Sequence, residues 1–230
     1  MNRHRESPDR EDRAEPARAR VLIVDDHELM RDGLRIMLDQ HPDLEYCGQA
    51  AEEGDAMRLV RKLHPDLAVI DIGLKSGDGI SLIKQIKAYD PAVRVIVYSM
   101  HDEQLYGERA LRAGANGYVD KQDPATEILQ AILEVWAGKM HFSEELVARV
   151  MHRAQQGGDA RISPIEALSD RELDLFRLIG QGTSTREIAD KLCLSINTVN
   201  TYRERLKVKL NLASGVELTH QATAWVLENP

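Results

Sequence analysis

Apolar residues in the first 140 positions alternate between two patterns. Short unbroken runs occupy 21–24, 67–70 and 93–98, with weaker or shorter ones at 44–49 and 117–119. Between them lie stretches with apolar residues three or four apart, at 29–38, 56–63, 80–88, 105–113 and 125–136. The runs read as strands buried on both faces, the spaced stretches as helices. The 29–38 stretch carries Leu29, Leu34, Met37 and Leu38 near helical spacing and stops at His41-Pro42; 56–63 stops at His64-Pro65. Five alternations of strand and helix predict a doubly wound, five-stranded parallel sheet with helices on both faces, joined by right-handed crossovers.

The pattern changes after Gly138. A helix is expected over 143–151, with Ser143 as its cap, and the polar, glycine-rich 155–159 reads as a linker. Beyond it only helical spacing remains, so a small all-α domain is expected. Ser169 and Glu172 form a capping-box pattern ahead of Leu173, Phe176 and Ile179. Helices follow at 185–192, 198–210 and about 215–227, and the middle pair has the layout of a helix-turn-helix. In the 198–210 helix, Val199, Tyr202, Leu206 and Leu210 are expected to face the core. The domain boundaries expected are a disordered leader over 1–19, an α/β domain over 20–140, a linker over 141–164 and a helical domain over 165–230.

Charge sharpens this division. The net charge of −8 is carried almost wholly by 20–139, where 14 basic residues meet 21 acidic ones, a balance of −7. Segment 169–230 holds 8 of each, yet within it 198–209 has four basic residues and one acidic one. An acidic first domain and a locally basic helix in the second make an informative asymmetry. No apolar run approaches the roughly 18 residues of a membrane span, and the N-terminal stretch has no signal-peptide core, so a cytoplasmic protein without membrane contact is expected. Cys47 and Cys193 fall in different domains without metal-ligand spacing and read as free thiols.

The chemistry gathers at strand ends. Asp25 and Asp26 end the first run, Asp71 the third, Ser99 the fourth, and Lys121 follows the fifth. Ligands of an open parallel sheet sit outside those ends. Three neighbouring carboxylates repel one another unless a cation is present, and Mg²⁺ suits an oxygen-rich site where phosphate chemistry follows. Taken singly, each Asp is more often a helix cap or solvated loop residue, Lys121 a solvated lysine and Tyr118 a half-buried strand aromatic; only the combination points to a site.

Val24-Asp25-Asp26-His27, Val69-Ile70-Asp71, Val97-Tyr98-Ser99 and Gly117-Tyr118-Val119-Asp120-Lys121, in this order, resemble the flavodoxin-like receiver domain of two-component response regulators. The resemblance implies that Asp71 is the phosphoacceptor and that Asp25, Asp26, Asp71 and the backbone carbonyl of Gly73 hold Mg²⁺. It also implies that Ser99 and Lys121 contact the phosphoryl group and that Tyr118 is an aromatic switch. Lys75 stands where the family often has proline, and no proline follows Lys121. Segment 168–222 resembles the LuxR-type helix-turn-helix through Leu168-Ser169-Asp170-Arg171-Glu172, Glu187-Ile188-Ala189, Leu194-Ser195-Ile196-Asn197-Thr198-Val199 and Lys209-Leu210. The two together are similar to the NarL/FixJ family.

That resemblance implies a phosphorylation-dependent transcriptional regulator, not an enzyme, that takes its phosphoryl group from a sensor histidine kinase and binds double-stranded promoter DNA as a homodimer. In the recognition helix, Asn200 and Thr201 are the candidates for base edges, Arg203, Lys207 and Lys209 for phosphates, and Glu204 either accepts from a cytosine amine or simply repels phosphate. Val216, Leu218 and Ala222 of the last helix are expected at a dimer contact, and the unphosphorylated receiver is expected to cover the recognition helix. Three other readings stay open on the residues alone. One is a phosphorylation-independent DNA-binding regulator with a vestigial receiver, another a Mg²⁺-dependent phosphotransferase, and the third a protein-only adaptor.

Overall fold

The computed structural model describes residues 18–74, 77–155, 164–165, 168–192 and 194–228. The proposed leader up to position 17, Lys75, most of the 155–159 linker and Cys193 therefore lie outside the described residues. The first domain runs β1 (Ala19–Val24), α1 (Glu28–Asp39), β2 (Leu44–Ala50), α2 (Glu53–Leu63), β3 (Leu67–Ile70), α3 (Gly79–Tyr89), β4 (Arg94–Ser99), α4 (Glu103–Ala113), β5 (Gly117–Asp120) and α5 (Ala125–Trp136). All four strand pairings are parallel, in the order β2-β1-β3-β4-β5.

Alternate residues of β1 serve opposite faces. Val21 and Ile23 join Leu34, Leu38, Ile128 and Ile132 of α1 and α5, whereas Leu22 and Val24 join Val60, Ile83 and Tyr106 of α2, α3 and α4. Burial on both sides explains why the strands read as unbroken apolar runs. Leu29 departs from expectation, being 86% exposed. It lies nine positions before Leu38, and nine steps of about 100° place the two on opposite faces of α1.

The strand order puts β1 and β3 side by side, with Val24 opposite Ile70. Asp25 and Asp71 therefore leave the sheet at one level, and the Asp71 amide donates to the Val24 carbonyl (2.8 Å). On the other side Ile70 faces Val97 and Ser99 faces Asp120, so the Lys121 amide reaches the Ser99 carbonyl (2.8 Å). β1, β3, β4 and β5 thus present their carboxyl ends along one rim, at the point where the strand order reverses.

After α5 the chain returns to the sheet edge, where the His141 carbonyl accepts from the Tyr118 amide (2.8 Å). His141 is held by Glu134 (2.9 Å) and Glu127 (3.2 Å). This turn aims α6 (Glu144–Gln155) onto α4, where the buried Leu146 packs so closely that a Cβ on Gly107 would lie 2.8 Å from its methyl. Ser143 caps α6 by accepting from the Leu146 amide (3.2 Å).

The second domain comprises α7 (Asp170–Gly180), α8 (Thr185–Lys191), α9 (Ile196–Lys209) and α10 (Gly215–Glu228). Ser169 and Ser184 each head a complete capping box with Glu172 and Glu187. The core is Leu173, Phe176, Ile179, Ile188, Val199, Leu206, Leu218 and Ala222. Leu218 and Ala222 are wholly buried against α7, so of the three α10 residues expected at a dimer contact only Val216, 80% exposed, is left for a partner. Val216 and Leu218 are two positions apart, about 200° around the helix, so they cannot share a face.

Glu172 is buried and accepts from the Ser169 amide (2.8 Å) and from Lys209 Nζ at the far end of α9 (2.6 Å). Lys209 is half-exposed. Lys209→Met is expected to cost about 1–2 kcal/mol, between the values for exposed and buried pairs, because it strands that carboxylate. Urea denaturation of the full chain checks this.

Candidate functional site

Asp71 is the centre of the rim. Ser99 Oγ donates to its Oδ1 (2.7 Å), as does the Gly73 amide (2.8 Å), and Lys121 Nζ meets its Oδ2 (2.5 Å). Lys121 also reaches Asp25 Oδ2 (2.7 Å), so one ammonium bridges the ends of β1 and β3. Asp25, Asp71 and Ser99 are buried. Burial pushes the Asp71 carboxyl up, but the Lys121 charge and the hydrogen bonds from Lys121, Ser99 and Gly73 outweigh it, and its pKa is lowered. Burial likewise disfavours the Lys121 ammonium, and the two aspartates more than restore it. Asp71 is therefore an anion at neutral pH.

Asp25, Asp26 and Asp71 each offer an oxygen, and His27 a nitrogen, all within 4.8 Å of one another. Three carboxylates and one ammonium leave two negative charges in a small volume, which a divalent cation would neutralise. The oxygen donors fit a hard ion such as Mg²⁺. His27 was not singled out from sequence. Its Nδ1 lies 2.9 Å from Asp26 Oδ1 and 3.2 Å from Asp25 Oδ1, and its amide donates to Asp25 (2.8 Å).

Tyr118 is buried on β5, and its hydroxyl donates to the His101 carbonyl (2.7 Å). His101, two residues past Ser99, was also missed from sequence. Its ring is tilted against Tyr106 and sits 3.3 Å from Asp174 of α7. Burial lowers the His101 pKa, but the bond and charge of Asp174 more than reverse this, so it is raised.

The helical domain presents a second candidate site. Ser195 caps α9 by accepting from the Thr198 amide (3.0 Å). Val199, Leu206 and Leu210 are buried and Tyr202 half-buried, as the spacing requires. Asn200, Thr201, Glu204 and Arg205 are exposed, Arg203 and Lys207 partly so. The receiver does not cover these α9 residues, contrary to the sequence-based expectation; it meets α7 instead. Thr201 Oγ1 donates to the Asn197 carbonyl (3.0 Å), Glu204 pairs with Lys207 (2.8 Å), and Lys209 is turned to Glu172. Arg205 lies over the Tyr202 ring (5.7 Å).

Two family models match this chain. Residues 21–133 match the response regulator receiver domain, and residues 166–222 match the bacterial regulatory proteins of the luxR family. The chain is therefore a response regulator, a receiver joined to a LuxR-type helix-turn-helix. It belongs to the NarL/FixJ family of these regulators and is a phosphorylation-dependent, DNA-binding transcription regulator. It is 35% identical over 200 residues to the response regulator GacA of Pseudomonas protegens, covering 87% of this chain and 93% of that one. It is 34% identical over 202 residues to the response regulator UvrY of Escherichia coli, covering 88% and 92%. Among solved structures it resembles RcsB of Salmonella enterica serovar Typhimurium bound to the promoter rprA with the phosphomimetic BeF₃⁻. That match has a TM-score of 0.55 at 26% identity, covering 90% of this chain and 98% of that one. Among the described residues no helix is long and apolar enough to cross a membrane.

Proposed function

We propose that Asp71 is the phosphoacceptor of this regulator and that a sensor histidine kinase is the donor. The observation that carries this reading is the convergence of Ser99 and Lys121, from the ends of two other strands, on the two oxygens of one buried aspartate. An Asp71 oxygen attacks the phosphorus of a phosphohistidine; the P–N bond breaks and the imidazole leaves with its electron pair. Lys121 offers its charge to the transferred group, and the Ser99 hydroxyl turns from the carboxylate to a phosphoryl oxygen. Asp25, Asp26, Asp71 and the Gly73 carbonyl would hold Mg²⁺, which supplies charge neutralisation for the transfer. The space that Ser99 leaves admits the Tyr118 side chain, which gives up its bond to the His101 carbonyl.

The output is α9 in the major groove of promoter DNA. Asn200 and Thr201 are the base-reading candidates, Thr201 after releasing its bond to Asn197; Arg203, Arg205 and Lys207 address phosphates, and Glu204 is available to a cytosine amine. One such helix reads few base pairs, so two copies on adjacent half-sites are needed, with Val216 at the α10 end a contact between them. The protein works in the cytoplasm as a regulator rather than an enzyme. Its layout is a leader over 1–19, receiver over 20–140, linker over 141–164 and output domain over 165–230.

Acetyl phosphate with Mg²⁺, followed by selection of bound genomic fragments, tests this reading. It requires donor-dependent enrichment of a defined set of promoters, whereas identical recovery with and without donor would refute it. On a selected promoter, Arg205→Ala is expected to reduce the slope of log affinity against log salt by about 1. Asn200→Ala is expected to cost about 1–3 kcal/mol at a single base position and leave that slope unchanged. Titrations across a salt series separate the two.

A further inference from the structure

We infer that His101 links the phosphoryl site to the DNA-binding domain, as part of a latch with Tyr106 and Asp174 that holds α7 against α4 until Asp71 is phosphorylated. The inference rests on the function proposed above and names the contact through which it is regulated.

The latch is built at one point of α7. Asp174 Oδ1 accepts from the Tyr106 hydroxyl of α4 (2.5 Å) and stands 3.3 Å from His101 Nδ1. Tyr106 is wholly buried and Asp174 nearly so, in a buried contact where charge-assisted bonds gain most. Arg109 of the next α4 turn donates to the Leu168 carbonyl just ahead of α7. Tyr106 and Ala110 share one buried apolar cluster with Leu168, Leu173 and Phe176.

His101 is the residue in this contact that also touches the phosphorylation site. Its amide lies 3.4 Å from Ser99 Oγ, and its carbonyl accepts from Tyr118 (2.7 Å). These are the two residues that move in the proposed switch, and they grip the His101 backbone from both sides. The ring meanwhile reaches back to the acceptor loop. A Cβ on Gly73 would stand 2.9 Å from His101 Nε2 and 3.4 Å from Asp71 Oδ1, so the glycine leaves a space bordered by both groups. A phosphoryl group places up to about two negative charges beside that space. They draw the imidazole toward Asp71 just as Ser99 and Tyr118 let its backbone go, and Asp174 is left with Tyr106 alone. Since α9 is already exposed, the latch controls how the two domains are placed for pairing on DNA, not access to the recognition helix.

Hydrogen exchange of the full-length protein, with and without acetyl phosphate and Mg²⁺, tests the latch, with intact mass recording the adduct. Adduct formation on wild type is expected to speed exchange of amides in α4 and the first half of α7 by about tenfold, within the usual range of coupling. Asp174→Asn is expected to form the adduct at the wild-type rate, yet to show the fast α7 exchange before any donor is added. Its promoter affinity is expected to lose donor dependence. Tyr106→Phe keeps the ring and the fold and is expected to shift both readouts part of the way. Adduct formation on wild type without change in α4 or α7 exchange would overturn the latch while sparing Asp71 as acceptor. So would an undiminished donor effect on DNA affinity in both variants. Absence of any adduct would overturn the function it rests on, and the latch with it.

Discussion

Asp71→Asn is expected to lower phosphoryl incorporation from acetyl phosphate by on the order of a thousandfold or more, the scale seen when a nucleophile is removed from a site whose parts act together. Asparagine keeps the shape of the aspartate and an oxygen for Ser99, but its amide is not a nucleophile toward phosphorus. Lys121 then keeps its pair with Asp25 at the end of β1, so the rim retains one of these two ion pairs. Donor-dependent DNA binding is expected to vanish while donor-independent binding stays. Radiolabel or mass measurement of the adduct checks the first part, and promoter titration the second.

The other large effect is structural. Gly180→Ala is expected to destabilise the DNA-binding domain by about 3 kcal/mol, at the upper end of overpacking costs. Gly180 ends α7 where α10 crosses it. A Cβ there would lie 2.3 Å from the Ala222 carbonyl oxygen and 2.7 Å from its carbon, and both are backbone atoms that cannot swing aside. The two helices must part, opening the packing around Ala222 and Leu218. Thermal unfolding should show an early transition in the variant that the receiver does not share, and promoter binding should fall with it. Gly182, just beyond, has φ +76 and open space around its Cβ position, so alanine there meets backbone strain without a clash.

Much of the receiver was legible because its strands are buried on both faces. Runs such as Leu67–Ile70 admit few other placements, and a carboxylate, hydroxyl or ammonium after such a run falls on the rim. Asp25, Asp26, Asp71, Ser99 and Lys121 were found in that way. The helices were less secure where the apolar face is short. Leu29 matched the spacing of its neighbours but points away from them, and Leu218 and Ala222 were assigned to a partner although α7 claims them. Residues whose role depends on distant contacts were the ones missed. Nothing near His101 in the sequence indicates that its ring meets Asp174, and nothing near Lys209 indicates that its charge is matched by Glu172. The signal available for His101 was its place two residues past Ser99, on the same rim. The exposure of α9 was likewise hidden, since charge complementarity between an acidic receiver and a basic helix does not specify which helix docks.

On the proposed function, the phosphoryl state of Asp71 sets the DNA affinity of this chain. A shift of the binding-competent population by a hundredfold needs only about 2.7 kcal/mol, within the reach of the few contacts between α4 and α7. The decisive measurement is promoter affinity for one preparation of the full-length protein, before and after saturation with BeF₃⁻ and Mg²⁺, at fixed salt and with Asp71→Asn alongside. Affinity rising at least about tenfold in wild type and not at all in Asp71→Asn is the result expected. Equal affinity in the two states of wild type, with BeF₃⁻ demonstrably bound, would contradict it.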